Sequence, residues 1–193
     1  VTTHKISKAE ATVEINVRVE YAPSTAAVAA QTEVFELGDD DRIGKSVASI
    51  GPLRTAHFAS TSVVTVKNPR LWSLEKPQRY VVVTTLAQNG KPVDRYETPF
   101  GIRTIEFTAT NGFLLNGKRV PLNGVCDHAD LGALGTVVNT RGLERQIEIL
   151  KEMGCNAIRT SHNPPAPEFL DLCDRMGMLV MDESFDCWKR AKK

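Results

Sequence analysis

The chain has 193 residues, 41% hydrophobic and 24% charged, and its 24 basic and 23 acidic side chains leave a net charge of +1. Interspersed, nearly balanced charge gives no electrostatic footprint for nucleic acid or an anionic membrane, and no apolar run reaches the roughly 18 residues of a membrane span. Neither partner is expected, and the length leaves room for one large or two small domains, each with a core.

From about residue 10 the pattern alternates or is densely β-branched, over Ala11 to Tyr21, Ala27 to Leu37, Ser46 to Ile50, Ser62 to Lys67, Tyr80 to Leu86 and Val93 to Thr98. Turn signals separate the runs at Ala22-Pro23-Ser24, Gly38-Asp39-Asp40-Asp41, Asn68-Pro69 and Asn89-Gly90. Asn-Gly between two such runs is a strong hairpin signal, because both central residues of a tight primed turn need positive φ. Short strands at this spacing predict an antiparallel β-sandwich of immunoglobulin-like size, and Trp72 is expected to pack it.

Near residue 101 the character changes. A second Asn-Gly hairpin is predicted over Phe113 to Val120, and the order then becomes strand, helix, strand, helix, strand. The first helix starts at Asn139 or Thr140, buries Leu143, Ile147, Leu150 and Met153 as one stripe, and stops at Gly154. The second has Pro165 or Pro167 in its first turn, buries Phe169, Leu172, Cys173 and Met176, and ends at Gly177. Such crossovers build a parallel sheet.

Three predicted strands deliver polar groups at one end: Val120 to Val125 leads into Asp127 and His128, Cys155 to Ile158 into Arg159, Ser161 and His162, and Met178 to Met181 into Asp182 and Glu183. One pocket at the carboxyl ends of parallel strands follows. Arg159 either clamps a carboxylate or pairs structurally with Asp182 or Glu183, and His162 either binds a ligand hydroxyl or caps the next helix. Adjacent residues of an extended chain face opposite ways, so Asp182 and Glu183 cannot both enter one pocket. Asp127, His128 and Asp130 either add to the pocket or form a solvated loop, and Asp127, His128, His162 and Asp182 match no standard metal-ligand spacing. Trp188 either stacks on a sugar or packs a core. The cysteines (Cys126, Cys155, Cys173, Cys187) form no CxxC pair, and Cys155 and Cys173 are read as buried free thiols.

Several stretches in series resemble glycoside hydrolase family 2. They are Asn68-Pro69-Arg70-Leu71-Trp72-Ser73 with Pro77 and Tyr80, then Phe100 to Phe107, Phe113 to Lys118, Gly124-Val125 with His128, Asn156 to Pro164, and Met181-Asp182-Glu183. Gly132-Ala133-Leu134-Gly135 looks most like the β-galactosidase-type members. The resemblance implies a multi-domain β plus α/β chain: an immunoglobulin-like β-sandwich over residues 1–103, then the first three βα units of an incomplete TIM barrel over 104–193. It implies a retaining exo-β-glycosidase acting on terminal β-linked sugars, with His128, Arg159, His162, Asp182 and Glu183 as the substrate-binding residues present here. The family's acid/base and nucleophilic glutamates have no counterpart in this sequence, so no catalytic residue is assigned and the chain is expected to be inactive alone.

Two departures stand out. Cys126-Asp127 replaces an asparagine and a basic residue common in the family, and the segment that binds metal in some members reads Ser184-Phe185-Asp186-Cys187, so no metal and no cofactor are carried over. The implied partner is carbohydrate, and a partial barrel, which leaves strand edges open, is expected to self-associate. The alternatives are a non-catalytic carbohydrate-binding module and a small doubly wound ligand-binding domain. The compartment is left open, with export to the periplasm or medium common among bacterial members of the family.

Overall fold

The computed structural model describes residues 1–19, 28–55 and 59–186. The chain divides into two compact units, Val1–Trp72 with Gln78–Thr104, and Ser73–Pro77 with Ile105–Lys193.

The first unit is a sandwich of two antiparallel sheets. Strands β1 (Thr2–His4), β2 (Glu10–Arg18), β3 (Val28–Leu37), β4 (Ile43–Thr55), β5 (Ala59–Lys67), β6 (Arg79–Gln88) and β7 (Lys91–Gly101) are arranged as β1-β2-β5 and β4-β3-β6-β7. Alternation in β2 buries Ala11, Val13 and Ile15, which pack with Val34, Val64, Val66, Tyr80, Val82 and Ile102 into one core. Asn89 and Gly90 both take positive φ, 52° and 77°, and join Gln88 directly to Lys91, as a two-residue hairpin requires. Trp72 is fully buried; its backbone N–H donates to the Ile102 carbonyl at 2.9 Å and the Arg103 guanidinium lies 4.6 Å from its ring centre. The predicted turn at Ala22-Pro23-Ser24 lies outside the described residues.

The second unit opens with a small antiparallel meander, β8 (Ile105–Thr108), β9 (Gly112–Leu115) and β10 (Lys118–Arg119), in which Asn116 and Gly117 repeat the positive-φ turn at 52° and 74°. Three parallel strands follow, β11 (Gly124–Asp127), β12 (Ala157–Thr160) and β13 (Leu179–Met181), in the order β11-β12-β13, with α1 (Thr140–Glu152) and α2 (Pro167–Met176) as the crossovers. The described residues thus hold three strands and two helices of the α/β part rather than three complete βα units.

Asn139 caps α1, its side-chain oxygen accepting from the Gly142 N–H at 2.8 Å. Ile147 is fully buried and packs with Ile158, Phe169, Leu172, Cys173 and Met178, with Leu143, Leu150 and Met176 partly buried around them. Met153 departs from the predicted stripe: it lies at the C-cap of α1, past the last helical turn, and is 68% exposed. Gly154 and Gly177, at φ 87° and 70°, end the two helices in the left-handed region that glycine enters without steric cost.

Candidate functional site

The parallel register sets the site. Cys126, Arg159 and Met181 stand side by side across the three strands, and by strand alternation they share one face, while Ile158 and Thr160 turn to the other face and are buried. Arg159 and Asp127 therefore lie within strands, not beyond them as predicted: β12 runs two residues later than the apolar run suggests, because Cys155 and Asn156 serve the connection from α1.

Asn156 makes that connection. Its side-chain oxygen accepts from the Asn123 N–H at 2.9 Å, its amide donates to the Pro121 carbonyl at 2.8 Å, and its own N–H donates to the Asn123 carbonyl at 2.8 Å. One side chain thereby fixes the start of β11 against that of β12.

At the carboxyl ends the predicted residues separate into two groups. Arg159 donates from Nε to Oε1 of Glu183 and its Nη2 pairs with the same oxygen, so the structural pairing foreseen for Arg159 is the one present. Arg159 also donates from Nη1 to Cys126 Sγ at 3.4 Å. Asp182 turns elsewhere: its Oδ1 accepts from Thr160 Oγ1 at 3.3 Å, while that hydroxyl accepts from the Glu183 N–H at 3.1 Å. The two adjacent carboxylates serve different partners, and both lie past the end of β13 at Met181.

His128 and His162 form the second group, with ring centres 5.8 Å apart in an edge-on arrangement. His162 Nδ1 lies 3.9 Å from Asp186 Oδ1, an ion pair only when the imidazole is protonated. The Ser161–His162 peptide bond is cis. Asp127 is half-buried and desolvation pushes its carboxyl above the ordinary aspartate range, opposed by a hydrogen bond from the backbone of His128. Asp130 turns back on its own loop and accepts from the Gly132 N–H at 2.6 Å. Beside these residues lies a hollow of about 70 Å³, lined by Asp127, His128 and Ser161 and by the apolar Leu131, Val138 and Phe169. Arg159, His162, Asp182 and Glu183 do not line it.

Among the described residues no group of three His, Cys, Asp or Glu side chains could hold a metal ion. Cys173 is buried, with its thiol pushed up to about 12 by desolvation, whereas Cys155 is half-buried and Cys126 exposed. Cys187 and Trp188 lie outside the described residues. Sequence reading left Thr160 and Asn156 without a role. The available signal was a small polar residue alternating with Ile158 at the end of the strand, and an asparagine just before its start.

The family model for glycosyl hydrolases family 2 matches residues 1–103, and that for the glycosyl hydrolases family 2 TIM barrel domain matches residues 106–187. Beta-galactosidase BoGH2A of Bacteroides ovatus is 58% identical over 132 residues, covering 68% of this chain and 16% of that protein. A beta-glucuronidase of Bacteroides fragilis is 38% identical over 119 residues, covering 61% of this chain and 17% of its own length. The crystal structure of a glycosyl hydrolase family 2 member from Bacteroides cellulosilyticus superposes with a TM-score of 0.88 at 36% identity, over 100% of this chain and 25% of that one. The chain spans about a sixth of the length of these two curated relatives.

Proposed function

Because the chain belongs to glycosyl hydrolase family 2, we propose that it is part of a retaining exo-β-glycosidase, a β-galactosidase, and that it supplies one wall of the pocket for the terminal sugar. Residues 1–103 are assigned to an immunoglobulin-like domain and 104–193 to the first part of a (β/α)8 barrel. The observation that supports the reading is that His128, Arg159, His162, Asp182 and Glu183, in two groups, stand at or just past the carboxyl ends of three parallel strands, where barrel enzymes bind substrate. In this role the two imidazoles hydrogen-bond sugar hydroxyls, and the Arg159–Glu183 pair stiffens the wall.

The sugar follows from the same pair. With Glu183 already on its guanidinium, Arg159 is not an open clamp for a sugar carboxylate. That favours a neutral hexose over a uronic acid, in line with the greater identity to the galactosidase than to the glucuronidase.

Retaining hydrolysis uses two carboxyl groups about 5 Å apart across the scissile bond. Here Glu183 is committed to Arg159 and Asp182 to Thr160, so the wall binds without cleaving and the chain alone is inactive. The chemistry of retaining hydrolysis needs only carboxylates and water, so the reading calls for no cofactor.

The test is titration of the chain with methyl β-galactoside, followed by NMR shifts of the His128 and His162 imidazoles, beside turnover of 4-nitrophenyl β-galactoside. Weak, saturable shifts abolished by His162→Ala, with no turnover, support the proposal. Turnover that disappears in His162→Ala overturns the inactivity, and the absence of any shift overturns the pocket assignment. Tight sugar binding by a monomeric chain favours the carbohydrate-binding module instead.

A further inference from the structure

The sequence holds four Asn-Gly pairs: Asn89-Gly90, Asn111-Gly112, Asn116-Gly117 and Asn123-Gly124. Glycine carries no side chain to shield its nitrogen, so in each pair that nitrogen can attack the asparagine side-chain carbonyl carbon and close a cyclic imide. Closure requires the backbone between the two residues to swing, and a stretch that is tied down reacts only when it opens. All four glycines are exposed. Solvent access therefore does not separate them, and what holds the backbone does.

Three of the pairs are held. The Asn123 N–H donates to Asn156 Oδ1 at 2.9 Å, and its carbonyl accepts from the N–H groups of Asn156 and Ala157 at 2.8 and 3.3 Å. Gly124 lies so close to β12 that a Cβ there would fall 2.5 Å from the Ala157 carbonyl oxygen. One side chain bridges Asn111-Gly112: Thr108 Oγ1 accepts from the Asn111 N–H at 2.9 Å and donates to the Gly112 carbonyl at 3.5 Å. Asn116 is half-buried, and its hairpin pairs without a break, Leu115 with Lys118 and Leu114 with Arg119, followed by the Val120 N–H donating to the Phe113 carbonyl at 3.0 Å. Asn89-Gly90 differs. Past the closing pair of Gln88 with Lys91, Ala87 pairs with Pro92 but Leu86 with Asp94, so Val93 is skipped as a bulge and the ladder behind the loop is broken. Asn89 is itself exposed, and among the described residues no hydrogen bond holds its side chain.

We propose that Asn89 is a modification site of this chain, deamidated through a cyclic imide with Gly90. The Gly90 nitrogen attacks Asn89 Cγ; that C–N bond forms, the bond from Cγ to the side-chain nitrogen breaks, and ammonia leaves carrying the proton from the Gly90 nitrogen. Water then opens the imide. Attack at Cγ gives aspartate in the ordinary main chain, and attack at the main-chain carbonyl carbon gives isoaspartate, in which the chain runs through the side chain. Isoaspartate adds one methylene to the main chain of a two-residue loop, which the primed turn does not accommodate. Beside the Val93 bulge, pairing should then be lost from Gln88–Lys91 back to Leu86–Asp94. The inference rests on the sandwich hairpin and is independent of the glycosidase reading.

The experiment holds the 193-residue chain at mildly alkaline pH, with a second sample in urea, and follows the four Asn-Gly peptides by mass spectrometry for conversion of amide to acid. Isoaspartate is located with isoaspartyl methyltransferase and labelled S-adenosylmethionine. In the folded chain Asn89 should react about tenfold faster than Asn111 or Asn116 and about thirtyfold faster than Asn123, whereas in urea the four rates should agree within about threefold. Thr108→Ala, which frees the second loop, should speed Asn111 about fivefold and leave Asn89 unchanged. Equal rates in the folded chain, one and the same order of rates in both samples, or an Asn111 rate indifferent to Thr108→Ala overturns the proposal.

Discussion

Thr160 and Asp182 meet across the β12–β13 pair: the threonine hydroxyl donates to Asp182 Oδ1 at 3.3 Å and accepts from the Glu183 N–H at 3.1 Å. Thr160 is 6% exposed, so little water can replace what a substitution removes. Thr160→Val keeps the shape and strands the Glu183 N–H, which should cost about 1–3 kcal/mol, while Thr160→Ser should recover most of it. Both helices lie in the second unit, so the loss of helical circular dichroism at 222 nm in urea reports on it. An unchanged midpoint in Thr160→Val would show that the hydroxyl does not hold the Asp182-Glu183 segment.

Gly154 and Gly177 end their helices with similar backbone angles but different surroundings. A Cβ on Gly154 would meet nothing, whereas one on Gly177 would fall against the Leu74 carbonyl well inside contact distance. Gly154→Ala should therefore cost only the left-handed penalty of about 1–2 kcal/mol. Gly177→Ala adds a backbone collision and should cost clearly more by the same urea midpoint. Equal costs would mean that the Leu74 segment yields freely.

Much of this fold was legible because it rests on local chemistry. The Asn89-Gly90 and Asn116-Gly117 turns needed only the positive-φ preference of those residues, and the Leu143, Ile147, Leu150 spacing located the buried side of α1. What local pattern could not carry was register. Nothing in Cys155 to Ile158 says that Asn156 is occupied with Asn123 and Pro121, yet that bond set moves the strand on by two residues and brings Arg159 inside it. The site followed the same rule. Strand alternation led to separate partners being expected for Asp182 and Glu183, but both lie past the end of β13 at Met181, and which partner each takes follows from the pairing of Arg159 with Met181. The strands β1 and β8 were missed because each is three or four residues long, too short for an alternating pattern to declare itself.

Asp127 makes stability depend on pH in a direction fixed by burial. Desolvation raises its carboxyl above the ordinary aspartate range in the fold, so the folded chain holds a proton that the unfolded chain has already lost. Its contribution to stability therefore falls as pH rises from the ordinary value through the raised one, and stays lower above it. Asp127→Asn, neutral throughout, should be more stable than wild type at neutral pH, and the gap should close in acid where both side chains are uncharged. Urea midpoints at several pH values read this directly. A gap that does not vary with pH would point to a lost hydrogen bond instead of a buried charge.

The parallel sheet is open at both edges. Among the described residues β11 and β13 each pair on one side only, so both present unpaired backbone donors and acceptors, and such edges recruit further strands. Exposed apolar groups lie close by, with Met181 at 57% and Phe185 at 68%. The chain should therefore self-associate, with a weight-average mass in sedimentation velocity that rises with concentration over the micromolar range. Met181→Lys places a charge on the β13 edge, where lysine is an effective block, and should shift the association to about tenfold higher concentration. A monomer at every concentration would show that neither edge is available, and association indifferent to Met181→Lys would place the contact away from β13.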